Sequence, residues 1–479
     1  SSHFGSGHFG FQGSFGPKPE GVALLVAQGV PLGLLVGSFA AMVAMGPRVS
    51  GVAFALIASG SLAHTSDCAF RLGLSDGAAT YPSFEEYLQK YFLSYDGQEF
   101  QRREATYNAA LQKVKAHNAK QGRMWQATVN EFTVLTPAEK KGHFGKATYL
   151  RGSSREARGP QRKRASRNTT GAVPAPPRVL DWREHRPIVV TAVKNQGYCG
   201  SCWAFAAAEV LESRIAIATG KLFSLSPQQI VSCTPNPNKC GGSGGCGGAI
   251  EKLAFDFVKR NGIVSEWTYP YTSFEDKNVA CLPLEYPRTP VAGIKGFAGV
   301  PPNHALSLLE AVQDGPLTAS VAANKWGPYE TGIFPRADCD WIINHAVVLM
   351  GYGEQNCVSY WLIRNSWGPT WGEHGYIRLE RAHNPHDEQC GWDTEPMEGS
   401  GCVTPPDGSN PPTREWVCGT CGVLSDSSYP TEPFLGAPVE PADPALSTPG
   451  PSLASLSAHV FAGVPDGADG AAFLQTPEL

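Results

Sequence analysis

Charged side chains are scarce in this chain, and neither sign dominates. Among 479 residues, Asp, Glu, Lys and Arg make up 17%, and the formal net charge is -4. A net charge this small for the length gives no indication of a nucleic-acid or other polyanionic partner. Histidines at zinc-ligand spacing beside the cysteine pairs are also missing, which disfavours a zinc protein.

Cysteine, by contrast, is abundant. Of 13 cysteines, 12 lie between Cys199 and Cys421, a region that is also rich in Gly, Pro and Trp. The pattern favours an oxidising compartment, and thus the secretory pathway, with several disulfides. The length allows two or three domains of ordinary size.

The N-terminal region contains two uncharged apolar runs. Residues 1–44 form a Gly/Phe/His-rich and then apolar extension, in which the run 21–46 is long enough to span a bilayer. Residues 45–63 instead predict a signal peptide that ends in a small-residue cleavage site, Ser61-Leu62-Ala63. We favour the cleaved signal, so we expect membrane contact only if residues 21–46 act as an anchor.

Residues 81–150 predict a helical unit followed by a strand and a second helix start. Residues recur at three- or four-residue steps, which places them on one face of a helix: Glu99, Arg103, Tyr107, Ala110 or Leu111, Val114 and Asn118. Thr136 followed by Pro137 is typical of an N-cap with proline at the first helical position.

Two segments lack the pattern of a folded core. Residues 151–177 are basic and then Pro-rich, and they predict an exposed linker that proteases can cut during maturation. The chain's only N-x-[ST] sequon lies there, which predicts glycosylation at Asn168. Residues 431–479 are rich in Pro, Ala and Gly, and we expect a disordered or removed tail.

Residues 178–430 predict an α+β layout. An apolar helix is predicted from Cys202 to Gly220, and a second helix from Ile250 to Lys259. Alternating apolar runs predict strands at 316–322, 345–352, 359–364 and 375–380. Helices that precede strands indicate segregated helical and sheet halves.

The segment from Asn195 to Trp203, NQGYCGSCW, carries the clearest chemical signal. Cys202 stands where a helix is predicted to begin, and the positive end of a helix favours the reactive thiolate. Such a thiolate needs a proton partner, for which His345 fits, and Asn365 can orient the imidazole. Each residue alone has a structural explanation, but the three together predict a cysteine peptidase.

Three segments in the order QGYCGSCWAF, NHAVVLMGYG and YWLIRNSWGPTWGEHGY resemble the papain-like cysteine peptidases. The resemblance spans residues 178–430, and residues 81–150 resemble the inhibitory propeptide of the cathepsin L-like branch. It implies an α+β fold with a helical left domain, a β-barrel-like right domain, a cleft between them and a helical propeptide in front. It also implies no cofactor, no metal and a monomer once mature.

The resemblance implies a role for each matching residue. Cys202 corresponds to the nucleophile, His345 to the general acid/base and Asn365 to the residue that orients His345. The Gln196 side-chain amide and the Cys202 backbone N–H correspond to the oxyanion hole, which stabilises charge on the attacked carbonyl. Trp367 is expected to cover the His345–Asn365 contact.

The resemblance also places a substrate pocket, S2. Gly248 is expected to present its backbone to the substrate, and Ile250 and Glu251 to flank the pocket. Three residues are expected to complete the pocket wall: Ser320, Ile343 and Ala346. Trp371 is expected on the leaving-group side of the cleft. If Cys421 is aligned correctly, Asp426 lies at the floor of S2, where a carboxylate can pair with arginine. We therefore expect Arg, alongside apolar residues, at P2, the substrate position that fills S2.

The propeptide match is partial. The helical spacing is kept, whereas a later Gly-x-Asn-x-Phe-x-Asp pattern survives only as Asn130 and Phe132, with Thr128 and Val134 in place of its Gly and Asp. The missing acid weakens a pH-sensing role for that motif. The resemblance implies a propeptide that runs backwards across the cleft and leaves at low pH.

Three disulfides are implied by the resemblance. Two are matched directly: Cys199–Cys246 and Cys233–Cys281. The third joins Cys339 to Cys390 or Cys421. We prefer Cys421, which makes residues 390–420 an insertion. The mature region then has an odd number of further cysteines, so we expect at least one to be free or paired between chains: Cys240, Cys357, Cys390, Cys402 and Cys418.

The sequence as a whole predicts an endopeptidase zymogen that cuts proteins or peptides in an acidic compartment. The predicted location is a lysosome or vacuole, or the outside of the cell. The propeptide acts as an intramolecular inhibitor. Two alternatives are an inactive papain-fold binding protein, which the retained Cys202 and His345 disfavour, and a zinc site in the insertion, suggested by Cys418-x-x-Cys421.

Overall fold

The computed structural model describes residues 80–145, 177–285 and 288–438, which all fall in one unit spanning Ala63–Leu479. The predicted N-terminal extension, the signal peptide, the Asn168 sequon and the tail beyond residue 438 lie outside these residues. Among the described residues, no helix is long and apolar enough to cross a membrane.

Residues 80–145, the described part of the predicted propeptide, contain three helices and one strand. These are α1 (Phe84–Lys90), α2 (Gly97–Asn118), β1 (Trp125–Ala127) and α3 (Pro137–Gly142). α3 begins as its sequence predicts: Thr136 accepts from the Glu139 backbone N–H, Glu139 reaches back to Thr136, and Pro137 takes the first turn.

The predicted face of α2 is the face that packs. Arg103, Tyr107 and Val114 are buried. At the end of the helix, the Asn118 amide holds β1 through two bonds to Ala127, 2.7 Å from Nδ2 to the carbonyl and 2.9 Å from the backbone N to Oδ1. The spacing of these residues therefore reflects both packing and the attachment of the next strand.

The helical half contains α4 (Cys202–Thr219), α5 (Pro227–Cys233) and α6 (Glu251–Asn261). α4 is buried from Cys202 to Ala216, which explains why apolar residues occur on every side of it and why its few charged residues are paired. It ends at Gly220, whose φ of 71° is a left-handed conformation that favours glycine. Both helices that the sequence predicted are present.

The sheet half follows in chain order. Its elements are β2 (Leu180–Asp181), β3 (Ala292–Gly299), α7 (Ala305–Gln313), β4 (Leu317–Val321), β5 (Tyr329–Phe334), β6 (His345–Gln355), β7 (Val358–Arg364), β8 (Tyr376–Glu380), β9 (Cys390–Asp393), β10 (Glu415–Cys418) and β11 (Ser427–Leu435). The main sheet has the order β1-β5-β8-β7-β6-β4-β11-β3, with β2 beside β6. β1 pairs antiparallel with β5, so the propeptide extends the sheet of the peptidase part.

β11 extends to Leu435, beyond the end of the peptidase part predicted at residue 430. Pro433 lies opposite Ile294, and Leu435 lies opposite Ala292 on β3. The expected start of a disordered tail at residue 431 was therefore wrong. Pairing with β3 orders a segment whose prolines hide the alternation of a strand.

A buried ion-pair network joins α4 to β7. Glu209 and Arg364 approach to 3.0 Å, with each side chain 1% exposed. Glu212 and Lys194 add a second pair at 3.1 Å. Burial raises the pKa of Glu209, and the Arg364 guanidinium opposes that rise. The network ties the helix that begins at Cys202 to the strand that ends just before Asn365.

Candidate active site

Cys202 lies where the helical half meets the sheet. It is the first residue of α4, and its thiol is buried. The backbone N–H of Ala346 donates to the Cys202 sulfur at 3.4 Å. Because Ala346 directly follows His345 at the start of β6, this contact brings the predicted nucleophile next to the predicted acid/base.

His345 is oriented by Asn365. Its Nε2 lies 2.7 Å from Asn365 Oδ1, and both side chains are buried. The Ser366 backbone N–H also donates to Asn365 Oδ1 at 2.8 Å, which sets the orientation of the amide. The Trp367 ring lies 4.9 Å from the imidazole. With Nε2 bonded to Asn365, Nδ1 is the nitrogen that can exchange a proton with a thiol.

The Gln196 side chain is fully buried beside the start of α4. Its Oε1 accepts from the Ser366 hydroxyl at 2.6 Å. Its Nε2 donates at 2.9 Å to the carbonyl of Cys199 and at 2.9 Å to the carbonyl of His143 in the propeptide. A held amide donor of this kind can stabilise charge that develops on a substrate carbonyl.

Propeptide residues 143–145 occupy the cleft above the thiol. The ring of Phe144 packs edge-on against His345, with centroids 6.0 Å apart. A Cβ added to Gly145 would lie only 2.6 Å from the Cys202 sulfur. The propeptide therefore covers Cys202 with backbone, at a position where a side chain would clash.

The propeptide crosses the cleft from the side of Trp371 to the side of Gly248. The carbonyl of Gly327 accepts from both Asn130 Nδ2, at 2.6 Å, and Trp371 Nε1, at 3.3 Å. Gly145, later in the chain, lies so close to Gly248 that a Cβ on Gly248 would clash with the Gly145 carbonyl oxygen. A substrate with its leaving group near Trp371 runs the opposite way.

The predicted S2 residues on β4, β6 and α6 lie together. Ser320 is opposite Ala346 in the sheet, and its hydroxyl donates to Glu251 at 3.4 Å. The Ser320 backbone N–H donates to the Asp426 carbonyl at 2.9 Å. The Asp426 carboxylate forms an ion pair with Lys252 at 2.7 Å.

The remaining S2 residues line the border with the insertion. A Cβ on Gly241 would meet Ile250 Cγ2 at 2.9 Å, and a Cβ on Gly399 would meet Ile343 Cβ at 3.0 Å. The insertion, through Gly399, is therefore a neighbour of Ile343, and the S2 assignment of these residues stays a prediction.

Three contributors were missed by the sequence patterns: Ser366, His143 and Lys252. Ser366 lies between Asn365 and Trp367, inside a segment that carries the predicted site. Lys252 directly follows Glu251, but no local pattern indicates its ion pair with Asp426. His143 has no local signal, because only the path of the propeptide brings it to the cleft.

The disulfides follow the preferred alignment. The structure contains Cys199–Cys246 and Cys233–Cys281, and it pairs Cys339 with Cys421. Two more bonds use cysteines whose partners the sequence left open: Cys240–Cys402 and Cys390–Cys418.

The five further cysteines of the mature region are all disulfide-bonded, whereas Cys202 is a free thiol. Cys357 is disulfide-bonded, as are the four residues of the two additional bonds. The expectation that one of the five would be free or paired between chains was wrong, because all five are disulfide-bonded within the one chain. Cys418 and Cys421 are consumed in disulfides, so they cannot supply the thiolates of the zinc alternative.

Comparison with known proteins agrees with this geometry. Residues 176–399 match the papain family cysteine protease profile, and residues 84–139 match the cathepsin propeptide inhibitor domain (I29). Mouse (Mus musculus) pro-cathepsin H is 33% identical over 317 residues, which cover 63% of this chain and 86% of the relative. The chain belongs to the papain family of cysteine proteases. It carries the family's inhibitory propeptide ahead of the peptidase domain.

Other family members are similar over much of the chain. Cysteine protease 1 of Oryza sativa subsp. japonica is 40% identical over 300 residues, which cover 61% of this chain and 58% of the relative. This chain covers a similar share, 60%, of the oryzain beta chain. The chain thus spans less than two thirds of these two relatives.

Solved proenzymes share the fold. The recombinant stem bromelain precursor covers 73% of this chain and 97% of its own, with 30% identity and a TM-score of 0.54. The digestive procathepsin L 3 of Tenebrio molitor larval midgut covers 72% and 97%, with 27% identity and a TM-score of 0.54. The papain-like fold and the cathepsin L-like proenzyme layout are therefore established.

Proposed function

We propose that the protein is a cysteine endopeptidase made as a zymogen, with Cys202 as nucleophile and His345 as general acid/base. The observation that carries this proposal is the set Cys202, His345 and Asn365, joined by the 3.4 Å and 2.7 Å contacts and covered by the propeptide. The thiolate attacks the scissile carbonyl, His345 protonates the leaving amine, and water activated by His345 releases the acyl-enzyme.

Gln196 and the Cys202 backbone N–H supply the oxyanion hole. In the zymogen, the His143 carbonyl takes one Gln196 N–H at 2.9 Å, so a propeptide oxygen stands in for a substrate oxygen. Loss of one such donor typically lowers kcat by about 10²–10³. Gln196→Ala is thus expected to impair turnover far more than binding.

Maturation completes the proposal. The chain enters the secretory pathway, with residues 45–63 as signal peptide and Asn168 as glycosylation site, and is cut in or near 151–177. It then acts on proteins or peptides in a lysosome or vacuole, or outside the cell, as a monomer. Support comes from the disulfides, which form in oxidising compartments, and from the propeptide that blocks Cys202.

Active-site labelling tests the nucleophile. Acid-treated full chain is reacted with an epoxide thiol inhibitor, and the modified peptide is identified by mass spectrometry. We expect one label, on Cys202, together with loss of peptidase activity. Cys202→Ala should be neither labelled nor active, and a label that persists in this variant refutes the assignment.

The S2 pocket is proposed to accept Arg at P2 through Asp426. Lys252 already pairs with this carboxylate at 2.7 Å, so a substrate arginine must compete with it or share it. Asp426→Ala should lower kcat/KM for P2 Arg but not for P2 Phe, and Lys252→Ala should raise it for P2 Arg. A lost charge-assisted contact corresponds to about tenfold.

Dipeptide substrates that differ only at P2 provide the measurement. Equal losses with both substrates in Asp426→Ala would show that the carboxylate does not face the substrate. Lys252→Arg keeps the ion pair and serves as the matched control for Lys252→Ala.

A further inference from the structure

The propeptide strand β1 covers one edge of the peptidase sheet. In the described sheet, β5 pairs with β8 on one side and with β1 on the other. The Ile333 backbone N–H donates to the Met124 carbonyl at 2.8 Å. The Thr128 backbone N–H donates to the Pro328 carbonyl, also at 2.8 Å. When the propeptide leaves, β5 loses these partners, and its main-chain groups can pair with another extended segment.

A tryptophan of β1 fills a slot in this edge. The Trp125 ring lies 5.0 Å from the Phe334 ring and 6.1 Å from the Tyr329 ring. Its indole Nε1 donates to Asp338 Oδ2 at 2.7 Å, and the residue is only 6% exposed. All three partners belong to the peptidase part. The slot therefore keeps its two aromatic rings and its carboxylate when Trp125 leaves.

Gly332 allows another main chain to approach the edge closely. It lies opposite Trp125 in the strand register, and its positive φ of 104° favours glycine. A Cβ on Gly332 would clash with the Met124 carbonyl oxygen and would lie 2.7 Å from Trp125 Cα. The edge thus fits the backbone of a paired strand as well as its aromatic side chain.

The edge presents carboxylates to the segment that covers it. Besides Asp338, Glu330 on β5 accepts from the Gln126 side chain, with 2.9 Å between Oε2 and Nε2. Both carboxylates therefore accept from N–H groups of β1. A segment with a tryptophan followed by a Gln, Lys or Arg is complementary to this edge in hydrogen bonding, and the basic residues are also complementary in charge.

The direction of β1 indicates which part of a substrate can reach the edge. β5 begins near the expected leaving-group side, because the Gly327 carbonyl accepts from Trp371 Nε1 at 3.3 Å. β1 runs toward this point, since Asn130 further along the chain donates to the same carbonyl at 2.6 Å. The substrate residues after the cut run away from it. A segment paired like β1 must therefore come from a long substrate whose chain has turned back.

We propose that, in the mature enzyme, the β5 edge binds an extended segment of a protein substrate, antiparallel to β5 and with a tryptophan in the slot of Tyr329, Phe334 and Asp338. This inference rests on the proposed peptidase function and deepens it. The edge selects which proteins are held near Cys202, whereas the cleft selects which bond is cut. Proteins that carry such a segment are cleaved more efficiently than proteins without it, and short peptides do not use the edge.

Binding to the β5 edge is measured first, with the cleft blocked. The full chain is activated, separated from its propeptide by gel filtration at the activation pH and inactivated with the epoxide inhibitor. A fluorescent peptide with the sequence of residues 122–129, blocked at both ends, is then titrated and followed by fluorescence anisotropy. Trp125→Ala in this peptide should weaken binding by at least about tenfold, because the slot is left empty.

A double-mutant cycle tests the slot itself. Trp125→Phe in the peptide removes the indole N–H, and Asp338→Ala in the enzyme removes its acceptor. Each change should weaken binding by about tenfold, as expected for a hydrogen bond to a charged group. The two together should weaken it little more than either alone. Asp256→Ala on α6, at a side chain that is 41% exposed, is the matched control and should not weaken binding.

Cleavage is then compared on two fusion substrates. Each carries one cleavage site, a Gly-Ser linker as long as the segment 125–145, and the sequence of residues 122–129 with either Trp or Ala at position 125. The mature wild type should cleave the Trp substrate with about tenfold higher kcat/KM, mainly through a lower KM, because tethering adds binding that is the same before and during the reaction. Asp338→Ala should lose most of this advantage while cleaving a dipeptide reporter normally.

Equal kcat/KM for the two fusion substrates in wild type overturns the proposal, as does a Trp advantage that persists in full in Asp338→Ala. Failure of the peptide to bind the epoxide-blocked enzyme also overturns it, because the segment then does not bind outside the cleft. Epoxide labelling of Cys202 and hydrolysis of the dipeptide reporter are independent of the edge. Their absence would instead refute the peptidase assignment.

Discussion

His143 is a buried histidine in the propeptide segment that covers Cys202. Its carbonyl accepts from Gln196, and its ring lies 4.8 Å from Phe132 and 4.8 Å from Tyr198. Within the part of the chain that the structure describes, its Nε2 has no hydrogen-bond partner. Burial lowers the pKa of His143 to about 4 from 6.5, with Gly197 and the Glu139 carboxylate opposing the shift only in part.

This depressed pKa predicts acid release of the propeptide. A free propeptide binds the His143 proton below about pH 6.5, whereas the docked one does so only near pH 4. The propeptide therefore docks most strongly above pH 6.5. Its docking free energy weakens as the pH falls toward 4, by up to about 1.4 kcal/mol per pH unit. In His143→Phe, the activation midpoint of the full zymogen should therefore move to lower pH.

The measurement is the initial rate of activation between neutral and acidic pH. His383→Phe, at a side chain that is 82% exposed, is the matched control. A midpoint unchanged in His143→Phe contradicts this role. In that case His143 would only fill space in the docked propeptide.

At the scale of the elements, one arginine joins α2 to α3. Arg103 donates to both Glu139 oxygens at 2.6 Å, to the Val134 carbonyl at 2.9 Å and to Glu99 at 2.5 Å. The hydrogen bonds from Arg103 lower the pKa of Glu139 to about 2 from 4.5. The stability that the Arg103–Glu139 ion pair contributes is complete above the ordinary pKa of Glu139, 4.5, and is lost as the pH falls toward 2. The ion pair therefore persists near pH 4, where the docked His143 begins to bind a proton.

Arg103→Ala is predicted to loosen the zymogen. The loss of bonds to a charged partner costs about 1.5–3 kcal/mol, less the screening of a partly exposed pair. The full chain should then show a higher rate of self-activation at neutral pH, measured with a fluorogenic peptide. Arg102→Ala on the same helix is the control, because Arg102 contacts Glu99 at 3.4 Å with a 71% exposed side chain; equal rates in the two variants would exclude the bridging role.

At the scale of the whole molecule, the buried pair Glu209–Arg364 links the helical half to the sheet half. Neither charge is solvated, and burial raises the pKa of Glu209 while Arg364 opposes this. Arg364→Met would leave Glu209 unpaired in the core, at a cost of about 3–5 kcal/mol. The free energy of unfolding of a Cys202→Ala zymogen in urea should fall by that amount.

The double variant Arg364→Met/Glu209→Gln is expected to recover part of this loss, because no charge is then buried alone. The Lys277–Glu275 pair, with side chains 67% and 72% exposed, provides a control in which Lys277→Ala changes stability little. If Arg364→Met lowered the free energy of unfolding as little as Lys277→Ala, the Glu209–Arg364 pair would not be responsible for coupling α4 to the sheet.

Much of the fold could be predicted because local patterns and tertiary structure agree. Apolar residues occur on every side of α4, which is buried in a core, and Gly220 ends it where a left-handed residue is needed. The end of β11 was missed because Pro430 and Pro433 break the alternation, although pairing with β3 holds the strand. Pairing partners lie far away in sequence, so no local pattern reveals them.

The sequence by itself determined the chemistry: Cys202 at a helix start, His345 at a strand start and Asn365 beside Trp367, together with the propeptide helix that carries Arg103. Only the tertiary structure decided what surrounds these groups. It placed His143 and Gly145 over the thiol, paired Lys252 with Asp426, and joined Cys240 to Cys402 in the insertion. The reason is physical: helix starts and apolar periods depend on neighbouring residues, whereas these contacts join segments that only the folded chain brings together.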